Sequence, residues 1–298
     1  MMTATSTLSA TLRETFNFEV VKLPMVAVNG ENLLNSDDFG LYRNDDWTQV
    51  HSRPVKKTYR PHTTEQVVTA CEVAESIFSE CQARCHFHRG HYVQLTPSRD
   101  YRKSVYGTLD NVFPVLLIHA GYDMKAWVAS LGFYRDACMN MARLQSVVST
   151  SVRIPHLSNL DDDIAEMTQS FELLESSWGD LVHFIGRMQA TTVSMNTFLS
   201  KVFGPCPVVS DSVTIRMVNN YQERQEAIIR RVSGESVMTG RGLYNGTVTV
   251  WEAFNAVQGY YQHDAPRMGE RGSFARLLKA NDHPSVQAAE RVAVALVG

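Results

Sequence analysis

The stretch that decides the fold runs from residue 160 to residue 188 and reads LDDDIAEMTQSFELLESSWGDLVHFIGRM. Its large apolar residues alternate at spacings of four and three, so they fall on one stripe of an α-helix in a heptad pattern. They are Leu160, Ile164, Met167, Phe171, Leu174, Trp178, Leu181, Ile185 and Met188. The pattern continues through Thr192, Met195 and Leu199. It predicts a long helix that, if unbroken to about Lys201, is about 60 Å long at 1.5 Å per residue. Gly179 and Gly186 are the positions at which this helix could be interrupted or bent.

Local signals mark both ends of this predicted helix. Ser158 or Asn159 can cap its first turn, and the acidic run 161–163 suits the positive end of the helix dipole. The Gly-Pro-Cys-Pro run at 204–207 ends it. A stripe of about six heptads is longer than a compact monomer usually needs, so it predicts a homo-oligomer. Whether the seam packs within one chain or between copies stays open at this point.

The remainder of the second half is predicted to be helical. Further helices are expected at about 211–232, 249–263 and 284–296, with a glycine-containing loop over 234–246. The first half has the shorter periods of a sheet. Residues 16–20 alternate as a strand does, and residues 30–46 are polar and predict an exposed loop.

One helix is expected within the first half. Thr63 and Gln66 form a capping-box pattern, and apolar residues then share one face, which predicts a helix over 63–81. Strands are expected at about 84–95, 104–108, 112–119 and 124–134, as an antiparallel meander.

The predicted fold class is α+β, with an antiparallel sheet and a packed helix in the N-terminal half and a helical C-terminal half. The predicted regions are 1–46, 47–157 and 158–298, the last two forming one integrated domain.

Composition narrows the class of protein. The 298 residues are 44% hydrophobic and 20% charged, which is typical of a globular chain and excludes collagen-like and fully disordered classes. Lys and Arg number 28 against 31 for Asp and Glu, so the whole chain is not a polycation. The N-terminus lacks the pattern of a signal peptide, and no apolar run has membrane-helix length. These features, with five unpatterned cysteines, predict a soluble cytoplasmic protein with no membrane partner.

Two clusters of basic residues stand out against the acidic total. Each surrounds a tyrosine, and cations beside a stacking ring suit single-stranded DNA, whose phosphates need charge and whose bases need an aromatic face. The first cluster comprises Arg53, Lys56, Lys57, Tyr59 and Arg60. The second comprises Arg99, Tyr101, Arg102 and Lys103, with Arg84 and Arg89 nearby. The competing interpretation of both is an ordinary solvated surface.

Cysteine and histidine crowd one short stretch, at Cys81, Cys85, His86, His88 and His91. The spacing lacks the second paired knuckle of a zinc finger, and a strand would alternate these side chains between faces. With the acidic run 161–163 the stretch supports only a weaker hypothesis, a metal-dependent hydrolase. Phosphate-loop, His-Glu-x-x-His and Gly-x-Ser-x-Gly motifs are absent from the sequence. The sequence therefore predicts no catalytic residue, no metal and no cofactor.

Three separated motifs together resemble a known family. They are Gly121-Tyr122-Asp123 followed by residues 132–140, then residues 154–159, and then residues 245–257, which begin Asn-Gly-Thr-Val-Thr-Val-Trp. This order resembles the phage- and plasmid-borne family named domain of unknown function 932, over roughly residues 40–290. The positions that correspond to the family pattern are Asp123, Arg135, Cys138, Asn140, His156, Trp251, Asn255, His263 and Lys279. The chain departs from the pattern at Met124 and Pro155.

The resemblance implies a phage or plasmid setting and no defined activity. Combined with the basic clusters, it supports the hypothesis of a non-enzymatic DNA-binding protein, an accessory factor in single-strand annealing, recombination or replication. The alternative is a factor that binds a host protein, such as a defence component. The family-motif residues themselves can organise a domain junction or form a ligand or nucleic-acid site, because buried Asn side chains bridge backbone groups in either case.

Overall fold

The structure is a computed structural model. The residues it describes are 7–29, 32–97, 101–105, 108, 110–122, 127–135, 140–142, 144, 151–154, 160–238 and 244–298. The chain divides into two compact units whose segments alternate along the sequence. The first unit comprises Met1–Ser98, Val115–Leu131 and Ser151–Glu175; the second comprises Arg99–Pro114, Gly132–Thr150 and Ser176–Gly298. The region boundaries expected after residues 46 and 157 stay predictions.

The α+β class is confirmed by the elements of the described residues. The helices are α1 Thr7–Thr15, α2 Thr64–Phe78, α3 Leu160–Ala190, α4 Met195–Phe203, α5 Ile215–Met238, α6 Val250–Gly259, the π-helix Tyr260–Asp264, α7 Phe274–Asn281 and α8 Pro284–Val297. The strands are β1 Val20–Asn29, β2 Asn32–Arg43, β3 Val55–Lys56, β4 Cys81–Phe87, β5 Gly90–Pro97, β6 Lys103–Ser104, β7 Asn111–Gly121, β8 Trp127–Arg135, β9 Met141–Ala142, β10 Ser151–Ile154, β11 Thr192–Ser194 and β12 Thr247–Thr249. None of the described helices is both long and apolar enough to cross a bilayer.

The strands form three sheets. The main sheet has the order β10-β8-β7-β5-β4, with β6 added on β7 and β9 on β8. A second sheet has the order β1-β2-β3, and a third pairs β11 with β12. The strand pairs whose register the structure describes are all antiparallel, as the predicted meander requires. β4 is therefore an edge strand of the main sheet.

The long helix is shorter than the heptad stripe predicted. α3 ends at Ala190, three residues form β11, and a new helix begins at Met195. The expected continuation of the helix to about Lys201 is therefore wrong. β11 pairs with β12 through Thr192 opposite Thr249, and backbone groups committed to that ladder cannot continue a helix. The stripe residues from Met167 to Met188 are nevertheless buried.

The polar segment 30–46 is also different from its prediction as a loop. Asn32–Arg43 is β2, which pairs with β1 from Val20 opposite Arg43 to Asn29 opposite Asn32. The predicted strand over 16–20 begins only at Val20, and α1 precedes it. The predicted strand over 84–95 is two strands, β4 and β5, around a turn at His88 and Arg89.

Helix α2 starts as predicted. The Thr63 hydroxyl accepts from the Gln66 N–H, and the Gln66 side chain accepts from the Thr63 N–H, which completes the capping box. The helix stops at Phe78, earlier than expected, and Ser79 follows with φ +62°. In the second half, α5 extends into the predicted 234–246 loop as far as Met238, and α7 was not predicted.

Candidate nucleic-acid interface

The two faces of strand β4 have different environments. Side chains alternate between the faces of a strand, so Cys81 and Cys85 share one face and Arg84 and His86 share the other. The cysteine face is directed at α2. Cys71 lies on that helix, and burial, with contributions from Cys85 and Cys81, raises the pKa of its thiol. Helix α2 also contacts the neighbouring strand β5. Arg84 and His86 therefore lie on the face of the main sheet opposite α2.

A row of three rings crosses this face. The strand register sets His86 opposite Tyr92, and Tyr92 opposite His119. The Tyr92 and His119 rings stack with centroids 4.0 Å apart and planes at 9°, and the His86 ring lies 6.3 Å from Tyr92. All three side chains are half-buried. The three rings therefore form a row across β4, β5 and β7, with the His86 ring tilted by 36° from Tyr92.

Cationic side chains flank this ring row. Arg84 is half-buried and lies on the same face two residues before His86, across from Gln94. Arg89 is exposed in the β4–β5 turn, where its φ is +55°. The exposed His88 ring stacks at 6.4 Å on His86, and burial, together with the His88 charge, lowers the pKa of His86. At neutral pH the fixed charge beside the rings therefore comes from the arginines.

The predicted 53–60 cluster also belongs to the first unit. Arg53, Lys57 and Arg60 are exposed and make no ion pair with another described residue, whereas Lys56 pairs with Asp38 at 2.8 Å. Lys22 adds a further cation, because its Nζ donates to the carbonyl oxygens of Lys57 (2.6 Å) and Tyr59 (2.7 Å). Those two bonds hold the segment in place and leave its basic side chains facing solvent.

The second predicted cluster is divided between the units. Arg84 and Arg89 lie in the first unit, and Tyr101, Arg102 and Lys103 lie in the second. Arg99 lies outside the described residues. The Tyr101 carbonyl accepts a hydrogen bond from the Trp178 indole at 3.1 Å, and Arg102 and Lys103 are exposed. The residues of this predicted cluster therefore belong to different units, with Arg84 and Arg89 in the first and Arg102 and Lys103 in the second.

Family-motif residues of the second unit form a buried polar cluster. Arg135 is fully buried, with its Nε 2.5 Å from Asp110 and its Nη1 2.5 Å from Glu235. Its guanidinium carbon lies 5.3 Å from the Trp251 ring centroid. Burial raises the pKa of Glu235 even though Arg135 opposes that shift. This arrangement fits the interpretation of Arg135 and Trp251 as organisers of the core.

Further motif residues continue the cluster. The fully buried Asn140 side chain is 2.8 Å from His263 Nε2, and the buried Asn255 amide donates to the Trp251 carbonyl oxygen at 2.8 Å. Lys279 is exposed, and its Nζ donates to the carbonyl oxygen of Arg267. Other motif positions lie outside the described residues: Asp123, Cys138 and His156.

The Cys/His stretch has the properties of buried thiols on a hairpin. Burial raises the pKa of Cys81 to about 12 and that of Cys85 to about 11, so both are protonated at neutral pH. Among the described residues, no group of three or more His, Cys, Asp or Glu side chains has a metal-binding arrangement. The side chains of the acidic run 161–163 lie outside that description.

Sequence analysis missed two members of the ring row. Tyr92 and His119 carry no motif, and they come together only because β7 pairs with β5 in a particular register. Polar residues that alternate with apolar ones at Tyr92, Gln94 and Thr96 were the available signal. That alternation predicts a face, but it does not predict which strand lies beside it.

Comparison with known proteins gives a family for this chain. The model of domain of unknown function 932 (DUF932) matches residues 51–291. The chain belongs to the DUF932 family. No curated protein and no solved structure matches it significantly. The DUF932 match includes the ring row and the buried polar cluster, and it begins after β1 and β2.

Proposed function

We propose that this DUF932 protein binds single-stranded DNA through the β4–β5–β7 face. The observation that carries the proposal is the half-buried row of His86, Tyr92 and His119 with Arg84 and Arg89 beside it. The bases of a single strand are free to stack on aromatic rings, and each base stacked this way contributes about 1–3 kcal/mol. The proposed activity is binding.

The exposed cations of the 53–60 segment extend the proposal. Arg53, Lys57 and Arg60 carry charge without a carboxylate partner among the described residues, which suits contacts with successive phosphates. The net charge of −3 opposes non-specific attraction to duplex DNA, whereas a local group of exposed cations still favours contact with the phosphates of a single strand.

The setting proposed for this activity comes from the family resemblance. It is a phage or plasmid protein in the bacterial cytoplasm, an accessory factor in annealing, recombination or replication. Self-association stays part of the proposal. The heptad stripe now gives less support to self-association, because its α3 residues from Met167 to Met188 are already buried within one chain.

A binding assay with matched variants tests the proposal. Fluorescence anisotropy of labelled oligothymidine, compared with a duplex of equal length, is expected to show preference for the single strand at low salt. Tyr92→Ala is expected to weaken binding by about 1–3 kcal/mol, because a stacking face is lost. Tyr244→Ala, a half-buried tyrosine of the second unit, is the control and should bind as the wild type does. No binding by wild type, or equal effects of the two variants, would refute the proposal.

A protein-interaction role is the second candidate, and one observation favours it. Large apolar side chains are exposed in the segment that joins α4 to α5 and at the first residue of α5. Val208 is 81% exposed and Val209 55% in that segment, and Ile215, which begins α5, is 62% exposed. Apolar side chains grouped in this way are typical of protein-binding surfaces. Co-purification from the bacterial host, with Ile215→Ser as the comparison, tests this role. Retention of a specific host protein only by wild type would favour it over DNA binding.

A further inference from the structure

A short π-helix in the second unit has arginine side chains from other segments around it. The π-helix Tyr260–Asp264 extends α6, and π-helical turns recur at functional sites in proteins. His263 on this turn is half-buried. Burial lowers its pKa, and the charges of Arg231, Arg276 and Arg271 lower it further. The imidazole is therefore neutral and lies in a positive environment.

The charges around His263 are not balanced. Arg231 Nε pairs with Asp264 at 2.5 Å, and Arg271 Nη2 lies 3.6 Å from the same carboxylate. Arg276 donates to the backbone carbonyl oxygens of Gln262, Gly269 and Ala265. Two guanidinium groups thus share a single carboxylate, with the charge of Arg276 nearby, and an additional anion here would be stabilised.

Donor groups converge beside Gly259, the last residue of α6. A Cβ on Gly259 would lie 2.8 Å from Arg231 Nη1 and 3.2 Å from Asn140 Nδ2, so only glycine lets both approach. Asn140 is fully buried, and its Nδ2 has no hydrogen-bond partner among the described residues. A buried donor without an acceptor costs about 1–3 kcal/mol. A ligand oxygen would remove that cost.

We propose that this cluster binds a phosphate group, with Arg231 and Arg271 supplying charge and Asn140 Nδ2 supplying a directed hydrogen bond. Planar guanidinium donors match phosphate oxygens. The single N–H of the neutral His263 imidazole is donated to Asn140 Oδ1, so His263 positions the amide and Asn140 Nδ2 is left for the ligand. The Asn140 side chain already holds His263 Nε2 at 2.8 Å, which fixes the orientation of the ring. The phosphate can be free or part of a nucleotide strand, and the chemistry is the same in both cases.

All residues of this site belong to the second unit, whereas the ring row belongs to the first, so variants can change one without altering the residues of the other. Failure of the phosphate site and failure of the proposed DNA binding are therefore distinguishable. Tyr92→Ala should leave phosphate binding at this cluster unchanged. Conversely, a protein that binds phosphate here and does not bind single-stranded DNA would refute only the proposed function.

Phosphate titrations followed by the histidine NMR signals of the full chain test the site. Inorganic phosphate, 5′-phosphorylated oligothymidine and 5′-hydroxyl oligothymidine are the three probes, with sodium chloride of equal ionic strength as the reference. We expect saturable shifts of the His263 imidazole with at least one phosphate probe. Shifts with inorganic phosphate indicate a free-anion source, and shifts with oligonucleotide alone indicate a strand source. No saturable shift with any probe would overturn the proposal.

Three variants separate charge from geometry. Arg271→Gln is expected to weaken phosphate binding roughly tenfold, since it removes one charge-assisted hydrogen bond. Gly259→Ala keeps every charge but places a methyl group against Arg231 and Asn140, so it should weaken binding by a similar factor. Arg230→Gln is the matched control, because Arg230 is 72% exposed and pairs with Glu226 on α5. Thermal unfolding confirms that each variant folds. Equal affinity of Arg271→Gln and Arg230→Gln would contradict the assignment.

Discussion

The ring row of the first unit and the Arg135 cluster of the second unit use the same residue types in opposite ways. At the ring row, Arg89 is exposed and Tyr92 is half-buried. In the cluster, Arg135 is fully buried between two carboxylates and lies over Trp251. An arginine beside an aromatic ring therefore does not by itself indicate a ligand-binding site. The charge of a buried arginine is neutralised by carboxylates within the protein, whereas the charge of an exposed arginine can bind a ligand.

The largest expected effect is on the buried side of this comparison. Arg135→Met should lower the free energy of unfolding by about 3–5 kcal/mol, because Asp110 and Glu235 lose the cation that compensates their burial. Urea unfolding measures this loss. Arg230→Met is the matched control on the exposed surface of α5, and it should change stability by less than about 0.5 kcal/mol. A loss below about 1 kcal/mol for Arg135→Met would show that the Arg135 ion pairs do not stabilise the fold, and the two regions would then not differ in this way.

The next effect concerns the pH dependence of stability caused by His91, a buried histidine on the face of the main sheet opposite the ring row. His91 is buried among Phe16, Phe18 and Phe87, and its Nδ1 lies 3.2 Å from His62 Nε2. Burial lowers the pKa of His91 from 6.5 to about 3. Between these values the unfolded chain binds a proton that the folded chain excludes. Stability is therefore complete above pH 6.5 and falls by about 1.4 kcal/mol per pH unit as the pH decreases toward 3.

The variant His91→Phe tests that dependence. It keeps an aromatic ring and removes the titrating group, so unfolding free energies measured between pH 6 and pH 4 should vary less steeply than in wild type. Asn196→Gln, exposed on α4, removes no titrating group and should keep the wild-type slope. Identical slopes for wild type and His91→Phe would show that His91 is not buried in its neutral form.

The smallest expected effect is at the exposed arginine of the β4–β5 turn. Arg89→Gln should change stability by no more than about 0.5 kcal/mol. It should reduce the salt dependence of single-strand binding by about 0.7 in the slope of log affinity against log salt, since one phosphate contact is lost. Anisotropy over a salt series measures this slope. Arg216→Gln, exposed at the start of α5, is the control, and an equal change there would remove Arg89 from the interface.

Local signals were sufficient for part of the fold. The capping pattern at Thr63 and Gln66 predicted the start of α2, because both hydrogen bonds join residues three apart. The heptad stripe predicted which face of α3 is buried over Met167 to Met188. It did not predict the end of the helix at Ala190. That end depends on β12, which lies more than fifty residues further along the chain.

The candidate sites show the same division. The sequence indicated Arg84 and Arg89 as cations and Asn140 and His263 as motif residues, because residue type is visible in the chain itself. It did not indicate the stack of Tyr92 on His119, the approach of Arg231 to Gly259, or the pairing of Arg135 with Asp110 and Glu235. Those contacts join residues from 25 to 100 positions apart.

By itself, the sequence determined the α+β class, the family and the periodicity of the buried faces, since each depends on residue type and short spacing. Contacts formed only in the folded chain determine where α3 stops, that residues 32–43 form a strand and not the expected loop, and which arginines are buried. The physical reason is that a strand or a buried charge is stabilised by distant partners. Backbone hydrogen bonds and ion pairs of this kind outweigh local propensity, and they form only when the chain folds.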